Sequence, residues 1–260
     1  MHLACVQSDI VWEDKPFNHA QVRRLLEAAG VPPGGLVILP EMFATGFSMN
    51  TGATVEPEHG ETLAFLAGLA RDCRSTVLAG LAAPGRLQPA RNQAVALNPD
   101  GQVIARYTKI HPFSLGGETK VHEPGDEVVC FPWDGLMVAP FVCYDLRFPE
   151  VFRIASARGA ELMVVIANWP ERRIEHWVTL LQARAIENLA YVVGVNRTGR
   201  DPFHDYPGRS LAVDPHGKII ADAGSSECVL RVDIDPGIAR EWRAQFPALK
   251  DRQPRWSPSS

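Results

Sequence analysis

Two four-residue segments, Asn98-Pro99-Asp100-Gly101 and Asp214-Pro215-His216-Gly217, constrain this chain more than any other feature. Asn or Asp followed by proline, then glycine at the fourth position, is turn chemistry, and each segment is bracketed by short runs of strand-forming residues. Arg91–Leu97 and Gln102–Tyr107 flank the first; Ser210–Val213 and Lys218–Ala221 flank the second. Both read as β-hairpins, one in each half of the chain. That repetition suggests two sheets stacked face to face with helices outside.

The rest of the chain alternates strand-length apolar runs with helical patterns. His2–Gln7, Leu36–Leu39 (closed by Pro40), Thr76–Ala82, Leu136–Val142, Leu162–Ala167, Tyr191–Asn196 and Val229–Ile234 read as strands. Helices are expected near Asn18–Ala29, over Glu61–Cys73, from Pro149 to Arg158 with proline in the first turn, and roughly over Glu175–Asn188. No Gly- or Ser-rich linker interrupts the series, so residues 1–260 read as one α/β domain, with a polar, proline-marked tail from about Pro236. At 260 residues, 46% of them apolar, the chain can bury a substantial core.

Charge and cysteine usage exclude several classes. The net charge is −4, and no block of five or six like charges occurs; Glu171-Arg172-Arg173 is short and mixed. Nucleic acid is therefore not an expected partner. The first residues, MHLACVQSDIVW, lack a signal-peptide pattern, and no apolar run reaches the ~18–20 residues that span a bilayer. The five cysteines are odd in number and include no C-x-x-C, which argues against a disulfide scaffold and for a reducing cytoplasm. His111, His122, Cys130 and Cys143 are spaced too irregularly for a zinc site.

Chemistry concentrates at Cys143. The apolar run Leu136–Val142 leads into it, and a polar turn then opens the helix at Pro149. Carboxyl ends of strands gather catalytic residues in α/β sheets, and a thiol there lies near the free N–H groups of the following turn. Such a thiol suits nucleophilic attack that creates an oxyanion. On position alone, a cysteine at a strand end is more often a small buried hydrophobe. None of the eight histidines sits in a papain-like or caspase-like context to supply a base.

Three ordered segments carry a resemblance: Leu39-Pro40-Glu41-Met42-Phe43, Arg106-Tyr107-Thr108-Lys109-Ile110-His111, and the segment around Cys143. The set resembles the nitrilase superfamily of carbon–nitrogen hydrolases, whose members use a Glu–Lys–Cys triad, and the likeness runs over nearly the whole chain. Gly46-Phe47-Ser48-Met49-Asn50, Val142-Cys143-Tyr144-Asp145-Leu146-Arg147-Phe148-Pro149, Ala167-Asn168-Trp169-Pro170 and Ala183-Arg184-Ala185-Ile186-Glu187-Asn188 are similar to the omega-amidase branch. Pro112 is a departure, standing where relatives usually carry an aliphatic residue.

The resemblance implies an α/β fold, a four-layer αββα sandwich of two mixed β-sheets, with no cofactor or metal and a homodimer to whose interface or surface the tail from about 236 would belong. It implies that Glu41 acts as general base, that Lys109 and the Tyr144 N–H hold an oxyanion, and that Cys143 is the nucleophile. Glu118 is preferred over Glu123 as a second glutamate positioning Lys109 and the substrate amide. A catalytic acid at neutral pH needs a raised pKa, which burial beside Phe43 would supply to Glu41. Tyr144-Asp145 after the cysteine, where nitrile hydrolysers usually carry Trp-Glu, favours amides. The implied substrate is the terminal amide of a small dicarboxylic acid, such as 2-oxoglutaramate, hydrolysed to the acid and ammonia through a cysteine thioester. Its carboxylate calls for an arginine: Arg147, Arg172, Arg173 or Arg197, of which Arg173 is carried forward with Tyr144, Phe43 and Trp169 as binding residues. His176 and Trp177 either line the entrance or pack a helix face. An N-carbamoyl or other aliphatic amide hydrolase, and a non-catalytic interaction protein, are the alternatives.

Overall fold

The computed structural model describes residues 1–253, so the end of the expected tail lies outside the described residues. In chain order the first half runs β1 (His2–Gln7), α1 (Lys15–Ala29), β2 (Leu36–Ile38), the one-turn α2 (Thr51–Thr54), α3 (Glu61–Cys73), β3 (Thr76–Pro84), β4 (Ala90–Leu97) and β5 (Val103–Thr108). The second half runs β6 (Phe131–Trp133), β7 (Leu136–Val142), α4 (Pro149–Ala157), β8 (Leu162–Ala167), α5 (Ile174–Asn188) and β9 (Tyr191–Asn196). It continues through β10 (Thr198–Arg200), β11 (Asp205–Pro207), β12 (Leu211–Val213), β13 (Ile219–Asp222), β14 (Cys228–Asp233) and α6 (Pro236–Gln245).

Among the described residues these strands form two six-stranded sheets and a small β10–β11 ribbon. The first sheet has the order β14-β1-β2-β3-β4-β5, with β1, β2 and β3 parallel and the flanking pairs antiparallel. The second has the order β13-β12-β9-β8-β7-β6, again with a parallel centre, β7, β8 and β9, between antiparallel flanks. Both hairpins legible from turn chemistry form, as β4–β5 and β12–β13.

Period-two alternation sorts side chains between layers. Along β1, Leu3 and Cys5 enter the core shared by the two sheets, whereas Ala4 and Val6 face an outer layer. That outer layer holds Val22 and Leu26 of α1 and Leu66, Leu69 and Ala70 of α3. On the far side Phe152 and Ala155 of α4, with Trp177, Leu181 and Ala185 of α5, cover the second sheet. The layers are thus helix, sheet, sheet, helix. The α1 boundaries follow local chemistry: the Asp14 carboxylate accepts from Phe17 N–H, proline sits in the first turn, and Gly30 ends the helix at φ 57°.

The segment from Pro236 on is more ordered than its polar sequence suggests. Asp235 caps α6, Ala239 is buried, and Arg243 donates to the carbonyls of Ala160, Asn188 and Leu189. One apolar anchor and a guanidinium reaching carbonyls hold this helix, and neither leaves an apolar periodicity to read.

Candidate active site

The turn after β7 carries backbone strain. Cys143 has φ 45°, a left-handed conformation disfavoured for any residue with a Cβ, and starts a 3₁₀ turn over Cys143–Arg147 that leads into α4. Asp145, fully buried, holds this turn in place. Its carboxylate accepts from Val142 N–H (3.1 Å), Tyr107 Oη–H (2.8 Å) and His111 N–H (2.9 Å), and meets His111 Nδ1 at 2.8 Å. The His111 ring stacks on Phe148 with centroids 3.8 Å apart. The cysteine turn is thereby tied to the end of β5, from which Lys109 projects.

Glu41 follows β2 past Pro40. Gly80 of β3 makes room for it, since a Cβ there would lie 2.5 Å from Glu41 Cα and 2.7 Å from Met42 N. Met42 adopts φ 44°, and Phe43 N–H donates to the Gly80 carbonyl. Glu41 faces the space between the sheets. Phe43, expected as a pocket wall, instead packs into the outer layer with Val6, Leu66 and Phe65, because the kinked backbone turns the two side chains to different layers. Phe47 takes the wall position, its ring 5.1 Å from Lys109 Nζ.

Two buried carboxylates converge on one ammonium. Lys109 Nζ donates to Glu41 Oε1 at 2.9 Å and to Glu118 Oε2 at 2.9 Å, with Glu118 Oε1 at 3.2 Å. Asn92 Nδ2 on β4 bridges the same carboxylates, at 2.7 Å to Glu41 and 2.9 Å to Glu118. The other Glu41 oxygen accepts from Asn168 N–H at 2.9 Å, and Asn168 Nδ2 donates to the Glu41 carbonyl at 2.7 Å, joining the two sheets. The Cys143 thiol points to the Asn168 carbonyl at 4.0 Å, close enough to Glu41 for the carboxylate to act on it electrostatically. The loop through Pro112 still delivers Glu118 to this cluster, with Phe113 N–H donating to its carboxylate. Glu123 lies elsewhere: it accepts from Arg86, Leu87 and Gln88 N–H and pairs with Arg91.

Electrostatics follow from this dry, shared geometry. Burial pushes the Glu41 carboxyl up, but Lys109 and the Asn168 and Asn92 donors outweigh it and hold the group below the usual carboxylate range. The expectation of a raised value for Glu41 is therefore reversed, because a direct ion pair wins over desolvation. Glu118 is raised by burial and by repulsion from Glu41, so an added proton goes to Glu118 first. Cys143 is raised by burial and by Glu41, with Lys109 opposing. Lys109 stays charged: its two carboxylates overcome burial and raise it. The resting site thus pairs a neutral thiol with an ionised Glu41.

Above Cys143 opens a cavity of about 900 Å³. Tyr144, Trp169, Arg173, Arg147, Phe47 and Asn168 are among its walls. Trp169 is anchored by its indole N–H, 2.7 Å from the Arg173 carbonyl. Arg197 does not reach this cavity's wall: it is fully buried, bonded to Asp9 and to the carbonyls of Ile10 and Arg200, and lies over the Tyr206 ring at 4.4 Å. Trp177 belongs to the core, while His176 meets Arg147 at 3.1 Å.

Sequence reasoning missed Asn92, Asp145 and Asn168 as parts of the site. The only signal was a polar residue at a buried strand or strand end, which apolar periodicity skips over. Among the described residues no group of three or more His, Cys, Asp or Glu side chains is arranged to hold a metal ion, and no helix is long and apolar enough to cross a membrane.

A family model described as carbon–nitrogen hydrolase matches residues 2–244. The 2-oxoglutaramate amidase of Bacillus subtilis is 31% identical over 250 residues, covering 96% of each chain. The omega-amidase YafV of Escherichia coli strain K12 is 35% identical over 254 residues, again covering 96% of each. Among solved structures, a CN-hydrolase superfamily protein of Xanthomonas campestris, described with an arsenic adduct in its active site, superposes with a TM-score of 0.90 at 34% identity over 97% of each chain.

Proposed function

The chain belongs to the carbon–nitrogen hydrolase family, and from that premise we propose that it is a cysteine-dependent amidase acting on the terminal amide of a small dicarboxylic acid monoamide, 2-oxoglutaramate-like, with Cys143 as nucleophile. One observation carries the reading. Glu41 and Glu118 each lie 2.9 Å from the same buried ammonium, Lys109 Nζ, beside a strained thiol on the floor of the cavity.

The Cys143 sulfur attacks the amide carbonyl as its proton passes to the ionised Glu41 carboxylate. Lys109 Nζ and the Tyr144 N–H, at the start of the turn where helical N–H groups lack acceptors, hold the oxyanion. Glu41 then protonates the departing nitrogen, the C–N bond breaks, and a thioester remains on Cys143. Water attacks the thioester, gives a proton to Glu41, and the C–S bond breaks, releasing the acid and restoring the thiol with that proton. Glu118 keeps Lys109 aimed and faces the amide nitrogen. The lowered pKa leaves Glu41 ionised at rest and able to accept the thiol proton, while making it a weaker base; Lys109, which lowers it, is also the oxyanion donor.

Mass spectrometry after brief exposure to a five-carbon dicarboxylic monoamide tests the proposal. An acyl adduct on Cys143, absent in Cys143→Ala, together with ammonia release, is expected; a sulfenic acid with no acyl adduct would overturn it. The reading extends to one hydrolase domain, a homodimer and a reducing compartment, the last supported by the free state of all five cysteines. Light scattering on the purified chain checks the dimer.

A further inference from the structure

We propose that Asp145 is the positioning residue of the oxyanion hole, its one carboxylate fixing Lys109 and the Tyr144 N–H relative to each other across the two sheets. The proposal rests on the amidase reading above and adds a residue that touches no substrate. Asp145 is fully buried and lies behind the cavity wall, which Cys143 and Tyr144 line.

The two donors start from different sheets. Lys109 follows β5 of the first, and Tyr144 follows β7 of the second. Ladder hydrogen bonds fix neighbours within a sheet, but apolar contacts between sheets are non-directional and tolerate sliding. Tyr107 against Phe141, edge to face at 5.8 Å, is such a contact. Directional hydrogen bonds are needed to set the offset.

Asp145 supplies them on both sides of each donor. Its carboxylate takes Tyr107 Oη–H, two residues before Lys109, and both the N–H and Nδ1 of His111, two residues after it. On the second sheet it takes Val142 N–H and is itself the residue after Tyr144, so Cys143 and Tyr144 are enclosed between bonded points. A carboxylate only accepts, so His111 Nδ1 carries the ring proton in this pairing. Burial, then the charge of Asp145, pushes the Tyr107 phenol up, and it stays a donor. The His111 ring stacks on Phe148, and Phe148 meets Tyr144 edge to face at 5.2 Å, closing the frame.

The frame answers to the strain at Cys143. A left-handed residue with a Cβ persists only where its surroundings hold it, and φ 45° at Cys143 sets where the next N–H points. Releasing Asp145 lets the turn relax and the two donors part. A shift of about 1 Å at a reacting centre costs on the order of 10²-fold in rate. Ground-state contacts have other anchors: Asn168 bonds Glu41, and Trp169 is fixed to the Arg173 carbonyl.

Asp145→Asn keeps the shape and turns one acceptor into a donor. With glutaramate, kcat is expected to fall about 10²-fold while KM stays within about threefold, the pattern of an interaction made only in the transition state. 5-Oxopentanoate isolates oxyanion binding: the Cys143 thiol adds across its aldehyde C=O, sulfur bonding carbon and the proton passing to oxygen, and that oxygen occupies the oxyanion position. Its inhibition constant should weaken by the same factor as kcat/KM, while that of glutarate, the product, stays within about threefold. Tyr107→Phe deletes one bond, keeps the ring, and should show the same pattern at about five- to tenfold; it decides the matter should Asp145→Asn not fold. Retained kcat with only a lowered melting temperature, an aldehyde affinity that does not follow kcat/KM, or equal weakening of aldehyde and glutarate overturns this inference alone. A wild type that neither hydrolyses glutaramate nor takes up the aldehyde on Cys143 removes the amidase reading itself.

Discussion

Replacing Lys109 by Met removes the charge at the centre of the site while keeping chain length and an apolar stem. Lys109 is 1% exposed, and its carboxylate partners Glu41 and Glu118 are both 0% exposed. Without the ammonium, two carboxylates share a dry space with only Asn92, Asn168 and Phe113 donors. Breaking a buried pair this way costs about 3–5 kcal/mol, because the remaining charge is uncompensated or must take up protons. The sign of the pH dependence follows. In the wild type the Glu41 carboxyl is held below its unfolded value, so its contribution is present above roughly pH 4.3 and lost as pH falls through the folded value. In the variant both carboxyls are raised, the folded state binds more protons than the unfolded chain, and stability recovers as pH falls. The deficit should be greatest at pH 8 and shrink toward pH 4. Urea denaturation at fixed protein concentration across that range, read as midpoint with unchanged slope, measures it. Adding Glu118→Gln should restore about 1–3 kcal/mol by removing one buried charge, while turnover stays ~10²–10³-fold down for want of an oxyanion donor. A deficit below about 1 kcal/mol, or one that does not vary with pH, would refute this account of how the charges are balanced.

Further perturbations test other parts of the site and its frame. Gly80→Ala drives a methyl against Glu41 Cα and should cost ~1–3 kcal/mol of stability with a disproportionate loss of kcat, measured by ammonia release. His122 is buried with both ring nitrogens lacking partners, and burial with the nearby Lys109 lowers its pKa to about 4. Its folded value lies below the unfolded 6.5, so stability falls as pH drops from 6.5 to 4, by up to about 3 kcal/mol. Thermal melts of His122→Phe should show most of that slope gone. Glu123→Gln weakens the clamp on the Arg86–Gln88 N–H groups, a loss of ~1–3 kcal/mol at pH 7. Because those donors and Arg91 depress Glu123 from 4.5 to about 2, the difference from wild type should vanish as pH falls through that window.

Local rules carried much of the architecture. Asn98–Gly101 and Asp214–Gly217 specify their hairpins because turn conformation depends on a few adjacent residues. The apolar runs ending at Val142 and Ala167 announce buried parallel strands for a similar reason, since strands covered on both faces are apolar throughout. Cys143 drew attention by its position after such a strand, whereas Glu41 and Lys109 were legible only through the ordered resemblance to carbon–nitrogen hydrolases, since each alone reads as a cap or a surface charge.

The amino-acid order therefore determined the hairpins and most of the strand-and-helix succession, though not the short β6, β10, β11 and α2 or the terminal α6, and through its resemblance it marked the three reactive groups. Only the tertiary structure decided which of Glu118 and Glu123 meets Lys109, that Phe43 leaves the cavity while Phe47 lines it, and that Asn92, Asn168 and Asp145 brace the cluster. It also decided that Glu41 rests ionised. These outcomes depend on distances between groups far apart in the chain, up to 127 residues for Asn168 and Glu41. Charge balance in a dry pocket responds to ångströms of separation, which residue order alone does not encode.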